Sequence, residues 1–459
     1  MGFISACLFG PEQPQGRGIY AGGQNINYDG FVSERIGWPG VVTVQRLTVR
    51  GGNALRGKVK ISGAKNAALV LMAASLLTSG KTILENVPRI NDVESMAAIL
   101  GELGAKVSWD NGDTVVVDVP ERINWVAPYD QVKRIRASNL VLGPLIGRCG
   151  RAEVALPGGC NIGPRPMDLH LKGFGLLGVD FSVEQGFIKA TTDTLMGTKV
   201  YLDFPSVGAT ENIMMAASLA RGKTIIANAA KEPEIVDLSN LLNAMGARVR
   251  GAGTDVIKID GAKELLPVRH CVIPDRIEAG TFMVAAAITG GRIVLENVIP
   301  THLQPITSKL REAGVSIQEV EDTLEVEAGK EFLPVDIKTL PYPGFPTDMQ
   351  SQVMAFLSLA RGTSVVVENV FENRLQVAGE LKRMGARIKV EGRTAIIEGV
   401  PELQAAQVRA TDLRAGAALM LAGLTAKGET EILNAEHIHR GYERIGDKLA
   451  DLGANINAG

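Results

Sequence analysis

The chain has 459 residues, 46% of them hydrophobic, with 48 Lys and Arg against 50 Asp and Glu for a net charge of −2. That length calls for two or more domains with large cores. The near-balanced charge argues against a nucleic acid or an anionic membrane as a charge-driven partner. Cys7, Cys149, Cys160 and Cys271 show no CxxC spacing, and His437 and His439 have no matching cluster. Neither a disulfide framework nor a metal site is therefore expected.

Residues 1–43 are rich in Gly, Asn and Pro and lack periodicity. They read as a disordered extension, or as sequence upstream of the true start. They lack the cationic n-region and cleavage site of a signal peptide. The longest apolar run, Ala67 to Leu77, is too short to cross a bilayer, so a cytoplasmic protein is expected.

From there the chain repeats itself. Units begin near Gly80, Gly150, Gly222, Gly291, Gly362 and Gly428 and end in a glycine at 104, 178, 246, 314, 385 and 453. A period of about 70 residues is longer than that of ordinary solenoid repeats and suits a supersecondary unit packed into a globular domain. Within the first unit, Lys81 to Val87 alternates as a strand and Asn91 or Asp92 is an N-cap candidate. Val93, Met96, Ala97, Leu100 and Leu103 recur at helical spacing. Gly104 supplies the left-handed residue that ends the helix. Strand resumes at Lys106, and a second helix joins successive units, as at Ala64–Leu77 and Ser206–Arg221. Six units divide into two domains of three: 66–273, and 274–459 completed by 44–65. A cleft between them is the natural place for a ligand.

The second unit contains LPGGCNIGPRPMDLH, residues 156–170. It puts Cys160 in a glycine-rich turn, with Arg165 nearby and a helix starting around Pro166, which suits the first helical position. Cations and a helix N-terminus lower a thiol pKa from about 8.5. Backbone N–H groups at Gly158, Gly159 and Gly163 can approach an anion unobstructed. The pattern suits proton transfer or covalent chemistry on an anionic substrate. By itself the loop fits equally a turn with an incidental cysteine.

This loop and the repeat count occur with ISGAKNAA (61–68), KRIRAS (133–138), PSVGATENIMMAA (205–217), KEPEIVDL (231–238), PDRIEAGTF (274–282), FPTDMQ (345–350), FENR (371–374), ATDLRA (410–415) and HRGYERI (439–445). In that order, over about residues 46–456, they resemble the enolpyruvyl transferases. The resemblance implies an α/β fold of two similar domains, each an inside-out barrel of three repeats. It implies transfer of the enolpyruvyl group of phosphoenolpyruvate to the 3′-hydroxyl of UDP-N-acetylglucosamine, by addition and elimination, without metal or organic cofactor. These two small molecules are the expected partners.

The site residues follow from the same resemblance. Lys65, Arg165 and Arg440 match phosphate-binding positions, and Arg374 and Arg414 match positions on the carboxylate side, where planar guanidinium groups bind in bidentate fashion. Cys160 matches the proton donor to the methylene carbon and the site of fosfomycin alkylation. Asp348 matches the general base for the sugar hydroxyl, with a helix N-cap as its plainer role. Asp412 matches a proton relay. Arg136, Arg165, Pro166, Met167, Asp168 and Leu169 match the uridine and diphosphate site, as do Ser206, Val207 and Gly208. Asn66 and Val370 match positions near the sugar, and Glu232 matches a polar residue lining the cleft. Phe204 and Leu140 stand where some members have Lys and Trp. Five clustered cations would repel one another, which predicts closure of the lobes on an anion. The alternatives are the related transferase acting on shikimate 3-phosphate, which is not expected to carry the PGGC loop, and a non-catalytic UDP-sugar-binding paralogue.

Overall fold

The computed structural model describes residues 45–132, 135–156, 167–329 and 331–458. Among them lie six four-stranded sheets, each mixed, with one parallel pair at an edge and antiparallel pairing elsewhere. The buried apolar residues gather in two clusters. One runs from Ala64 to Val272; the other combines Leu47–Ile61 with Ile277–Leu452.

Each repeat contributes two kinds of helix. The helices Lys65–Ala74, Leu142–Cys149, Val207–Ala217, Arg276–Thr289, Gln350–Leu357 and Leu413–Gly423 are apolar nearly all round and buried. A helix with no polar face belongs in a core, and these fill the two barrels. The other set is amphipathic and lies outside, as Asn91–Glu102 does with Val93, Met96, Ala97 and Leu100 inward. Three sheets enclose each trio of inner helices, giving two similar inside-out barrels. All six unit-ending glycines, from Gly104 to Gly453, have positive φ, so each outer helix stops where only a residue without Cβ is comfortable.

A further device recurs at the strand ends. Asn86, Asn228 and Asn297 take left-handed backbone angles, which asparagine tolerates. Each donates its side-chain amide to a carbonyl of the neighbouring parallel segment: Val272, Leu202 and Ile61 respectively, at 2.7–2.8 Å.

The chain passes between barrels twice. The strand Arg56–Lys60 pairs with Arg292–Glu296 of the second barrel, and Arg269–Cys271 pairs with the Gly80–Glu85 strand of the first. The two crossings run antiparallel and touch: Ala64 N–H donates to Ile273 O at 2.7 Å, and Asp275 N–H to Ser62 O at 2.9 Å. Gly63 also lies hard against the end of the Gly80–Glu85 strand, where an added Cβ would sit 1.6 Å from Asn86 O. Gly63→Ala is expected to cost about 2–3 kcal/mol, the upper range for overpacking, and to be read as a lower denaturant midpoint than wild type.

Candidate active site

The crossing delivers Lys65 to the first turn of its helix, directly beneath the seam between barrels. Its Nζ lies 2.6 Å from Asp92 Oδ2, and the other carboxylate oxygen accepts from Arg440 Nε at 2.9 Å. Asp92 comes from the outer helix of the first unit and Arg440 from the second barrel, so one buried carboxylate holds a cation from each side. Burial alone raises a carboxyl pKa, but Lys65 and then Arg440 outweigh it and keep Asp92 below its ordinary value. Asp92 does not cap its helix; the capping position is Ile90, and the carboxylate serves the seam instead.

Other contacts across the described seam are polar as well. Glu443 Oε1 accepts from Arg89 N–H, Glu232 Oε1 accepts from Tyr342 N–H, and Glu234 faces Arg276. Asp275 caps the Arg276–Thr289 helix with Oδ1 and accepts the Lys65 N–H with Oδ2.

A second cluster lies within the second barrel. Asp348 Oδ1 accepts from Arg374 Nη1 at 2.7 Å, and Oδ2 from Arg414 Nη2 at 2.8 Å. Both guanidiniums are almost fully buried, over the rings of Phe371 and Tyr442 respectively. Burial raises the Asp348 carboxyl, yet Arg414 and Arg374 hold it well below the usual carboxylate range. Arg374 Nε and Arg414 Nη1 are buried donors with no hydrogen-bond partner among the described residues. Glu368 organises the surroundings: it accepts from Thr339 and Thr347 side chains and from Val370 and Phe371 N–H groups. That fixes the turn carrying Val370 beside the one carrying Asp348.

Two sequence expectations are corrected here. Asp348 is no N-cap: it lies inside a 3-10 turn, Thr347–Met349, and Met349 caps the following helix. The cations do not face one another uncompensated either. Lys65 and Arg440 share Asp92, and Arg374 and Arg414 share Asp348, so these four cations are not bare charges repelling one another; the fifth, Arg165, lies outside the described residues. Asp412 is a cap, its Oδ1 accepting from Arg414 and Ala415 N–H groups. The cap leaves Oδ2 as its second oxygen, which accepts from Thr411 Oγ1 at 3.4 Å.

On the first barrel, Arg136 opens a 3-10 turn, Arg136–Val141, and Asp168 opens the helix Asp168–Leu176 behind Met167. Ser206 caps the Val207–Ala217 helix through its Oγ, leaving Val207 and Gly208 in the first turn. Arg136 lies close enough to His170 to add to the effect of burial, and together they push that imidazole down to about 4. Asn66 is exposed beside Lys65, and its amide reaches toward Glu234 at 3.5 Å. Phe204 is exposed, whereas Leu140 is a core residue and offers no face for stacking. Cys160, Arg165 and Pro166 lie outside the described residues. Of the described cysteines, Cys149 is half-buried and Cys271 exposed; burial pushes both thiols up, so neither is a ready nucleophile.

Sequence reasoning missed Asp92 in this role, along with Asp275, Glu368 and Asn212. Asp92 had a signal: it falls four residues before Met96, on the inward stripe of an amphipathic helix. An acid on an apolar stripe needs a cation to accompany it.

Residues 49–449 match the family model of EPSP synthase (3-phosphoshikimate 1-carboxyvinyltransferase). The chain is 58% identical over 415 residues to UDP-N-acetylglucosamine 1-carboxyvinyltransferase 2 of Carboxydothermus hydrogenoformans, spanning 90% of this chain and 99% of that protein. It is 56% identical over 412 residues to UDP-N-acetylglucosamine 1-carboxyvinyltransferase 1 of Caldanaerobacter subterraneus, again over 90% and 99%. Among solved structures it resembles the enolpyruvyl transferase NikO from Streptomyces tendae, with TM-score 0.82 and 27% identity over 90% of this chain and 98% of that one. EPSP synthase from Acinetobacter baumannii shares the fold, at TM-score 0.70 and 19% identity over 90% of this chain and all of the other. With the repeats, the inside-out barrels and the cation clusters in place, these matches establish that the chain belongs to the enolpyruvyl transferase family.

Proposed function

We propose that this enzyme transfers the enolpyruvyl group of phosphoenolpyruvate to the 3′-hydroxyl of UDP-N-acetylglucosamine, releasing phosphate, in the first committed step of peptidoglycan synthesis. It works in the cytoplasm and serves cell-wall growth, cell shape and division. The observation that carries the reading is the pair of carboxylate-bridged cation clusters, Lys65 with Arg440 and Arg374 with Arg414. Phosphoenolpyruvate has two anionic ends, a phosphate and a carboxylate, and each cluster suits one of them. The high identity to relatives named for the UDP-sugar reaction favours that acceptor over shikimate 3-phosphate.

On this reading residues 44–65 and 274–459 form the catalytic domain, and 66–273 carry the nucleotide sugar and the Cys160 loop. The diphosphate meets Arg136, Arg165 and backbone donors at Ser206–Gly208. The phosphate of phosphoenolpyruvate meets Lys65, Arg165 and Arg440. Its carboxylate takes donors of Arg374 and Arg414, two of which are buried and unpartnered. A carboxylate clamped by two guanidiniums is a weak base, so Asp348 becomes effective only as the incoming carboxylate shares its clamp. Asp348 then accepts the proton of the sugar hydroxyl as O3′ bonds to C2, and Cys160 gives a proton to C3. In the second step C3 returns a proton, with Asp412 at hand as relay, and the C2–O bond to phosphate breaks.

Phosphate release from phosphoenolpyruvate should require UDP-N-acetylglucosamine, and shikimate 3-phosphate should not replace it. Cys160→Ser should lower turnover by about 10²-fold or more, as for loss of a general acid, and abolish alkylation by fosfomycin. Full turnover in that variant, or release driven by shikimate 3-phosphate, would refute the assignment.

A further inference from the structure

Asn212 lies in the middle of the Val207–Ala217 helix with no exposed surface. A polar side chain there needs partners, and it has three, each on a different segment. Its Oδ1 accepts from Gly143 N–H at 2.7 Å, at the start of the Leu142–Cys149 helix. Its Nδ2 donates to Asn139 O at 3.2 Å, in the Arg136–Val141 turn. The same Nδ2 meets His170 Nδ1 at 3.1 Å, in the Asp168–Leu176 helix.

The orientation of the amide is fixed by chemistry. A backbone N–H can only donate, so the atom facing Gly143 is the oxygen and the amine faces His170. His170 Nδ1 must then accept, which puts the ring proton on Nε2. A neutral ring is what burial dictates, since it pushes His170 down to about 4. The packing is close on every side: an added Cβ at Gly143 would sit 2.5 Å from Asn212 O, and one at Gly208 would sit 3.2 Å from His170 Cε1.

We propose that Asn212 is the positioning residue of the nucleotide-sugar site, joining the Arg136 turn, the helix start at Asp168 and the helix start at Ser206–Gly208 into one frame. The proposal rests on the assignment of those residues to UDP-N-acetylglucosamine made above. It names a residue that touches no substrate yet sets the spacing of three segments that do. Donors fixed before the ligand arrives bind more tightly than donors that must first be ordered.

The test uses Asn212→Asp, which keeps the shape and removes the amine, and Asn212→Leu, which removes all three hydrogen bonds. Calorimetry with UDP-N-acetylglucosamine should show binding weakened about tenfold in Asn212→Asp, the equivalent of roughly one buried hydrogen bond, and more in Asn212→Leu. The KM for phosphoenolpyruvate at saturating sugar should stay within about twofold of wild type, because the frame lies in the other substrate's site. Ring ¹⁵N spectra should show the His170 proton on Nε2 in wild type and on Nδ1 in Asn212→Asp, where a carboxylate now accepts. If Asn212→Leu does not fold, Asn212→Asp decides alone. A folded Asn212→Asp that binds the sugar like wild type, or that loses kcat with sugar affinity intact, overturns the proposal. Failure of wild type to bind UDP-N-acetylglucosamine overturns the parent assignment and this one with it, a result the variants cannot mimic.

Discussion

Asp348→Asn should bind phosphoenolpyruvate more tightly than wild type while turning over at least about 10²-fold more slowly, the usual scale for losing a general base. The two effects oppose each other because Asp348 does two things. As found, it neutralises Arg374 and Arg414, whose side chains are only 3% and 2% exposed. On the proposed assignment it therefore competes with the carboxylate of phosphoenolpyruvate for the same guanidiniums. Asparagine removes the competition and the base together. Both this substitution and Asp348→Ala leave two buried cations without their counter-charge, which costs about 3–5 kcal/mol of stability, and Asp348→Ala removes the spacer as well. The pH dependence has a defined sign. Because the folded-state pKa of Asp348 lies below the unfolded value of about 3.9, its stabilising contribution is complete at neutral pH. It declines as pH falls below about 4 toward the folded value. The stability gap between wild type and Asp348→Asn should thus be flat from about pH 5 to 8 and shrink in acid. Unchanged turnover, or a gap that widens in acid, would contradict this account.

Asp92→Ala is expected to have the second-largest effect. It strips the shared partner from Lys65 and Arg440 and cuts an ion pair between the barrels. Lys65 is left nearly buried without a counter-charge, so a loss of about 3 kcal/mol is expected. Turnover should fall by about 10²-fold, the scale of misplacing a substrate-positioning group by an ångström. Since the seam is polar and Asp92 bridges it, X-ray scattering of the ligand-free variant should give a larger radius of gyration than wild type. UDP-N-acetylglucosamine should compact the variant more than wild type, whose seam Asp92 already bridges. Identical scattering with and without the substitution would show that Asp92 serves only to neutralise.

Much of this was legible beforehand for a physical reason. The glycines from Gly104 to Gly453 announced the period because helix termination demands a positive φ six times over. The stripe Val93–Met96–Leu100 announced an outer helix because its spacing is local. The motifs around Lys65, Arg374, Arg414 and Arg440 marked the cations. What sequence could not give was their pairing. Asp92 is 348 residues from Arg440, and Asp348 is 66 from Arg414; no periodicity relates positions so far apart. Local rules suggested N-caps at both aspartates. Tertiary charge pairing won instead, because a buried guanidinium or ammonium needs a carboxylate more than a helix end needs a cap. Asn212 was hidden for the opposite reason: it sits within an apolar helix and resembles a minor interruption.

The early strands that pair within the second barrel have a consequence for synthesis. Arg46–Arg50 and Arg56–Lys60 are made before every other described strand, yet they pair with Glu429–Leu433 and Arg292–Glu296. The first barrel can assemble completely while these two segments wait, their edges unmatched, for more than two hundred residues to follow. Such exposed edges invite association with neighbouring chains. Arg56–Lys60 is covered once Arg292–Glu296 is made, whereas Arg46–Arg50 waits for Glu429–Leu433 and Asn455–Ala458, the final two described strands.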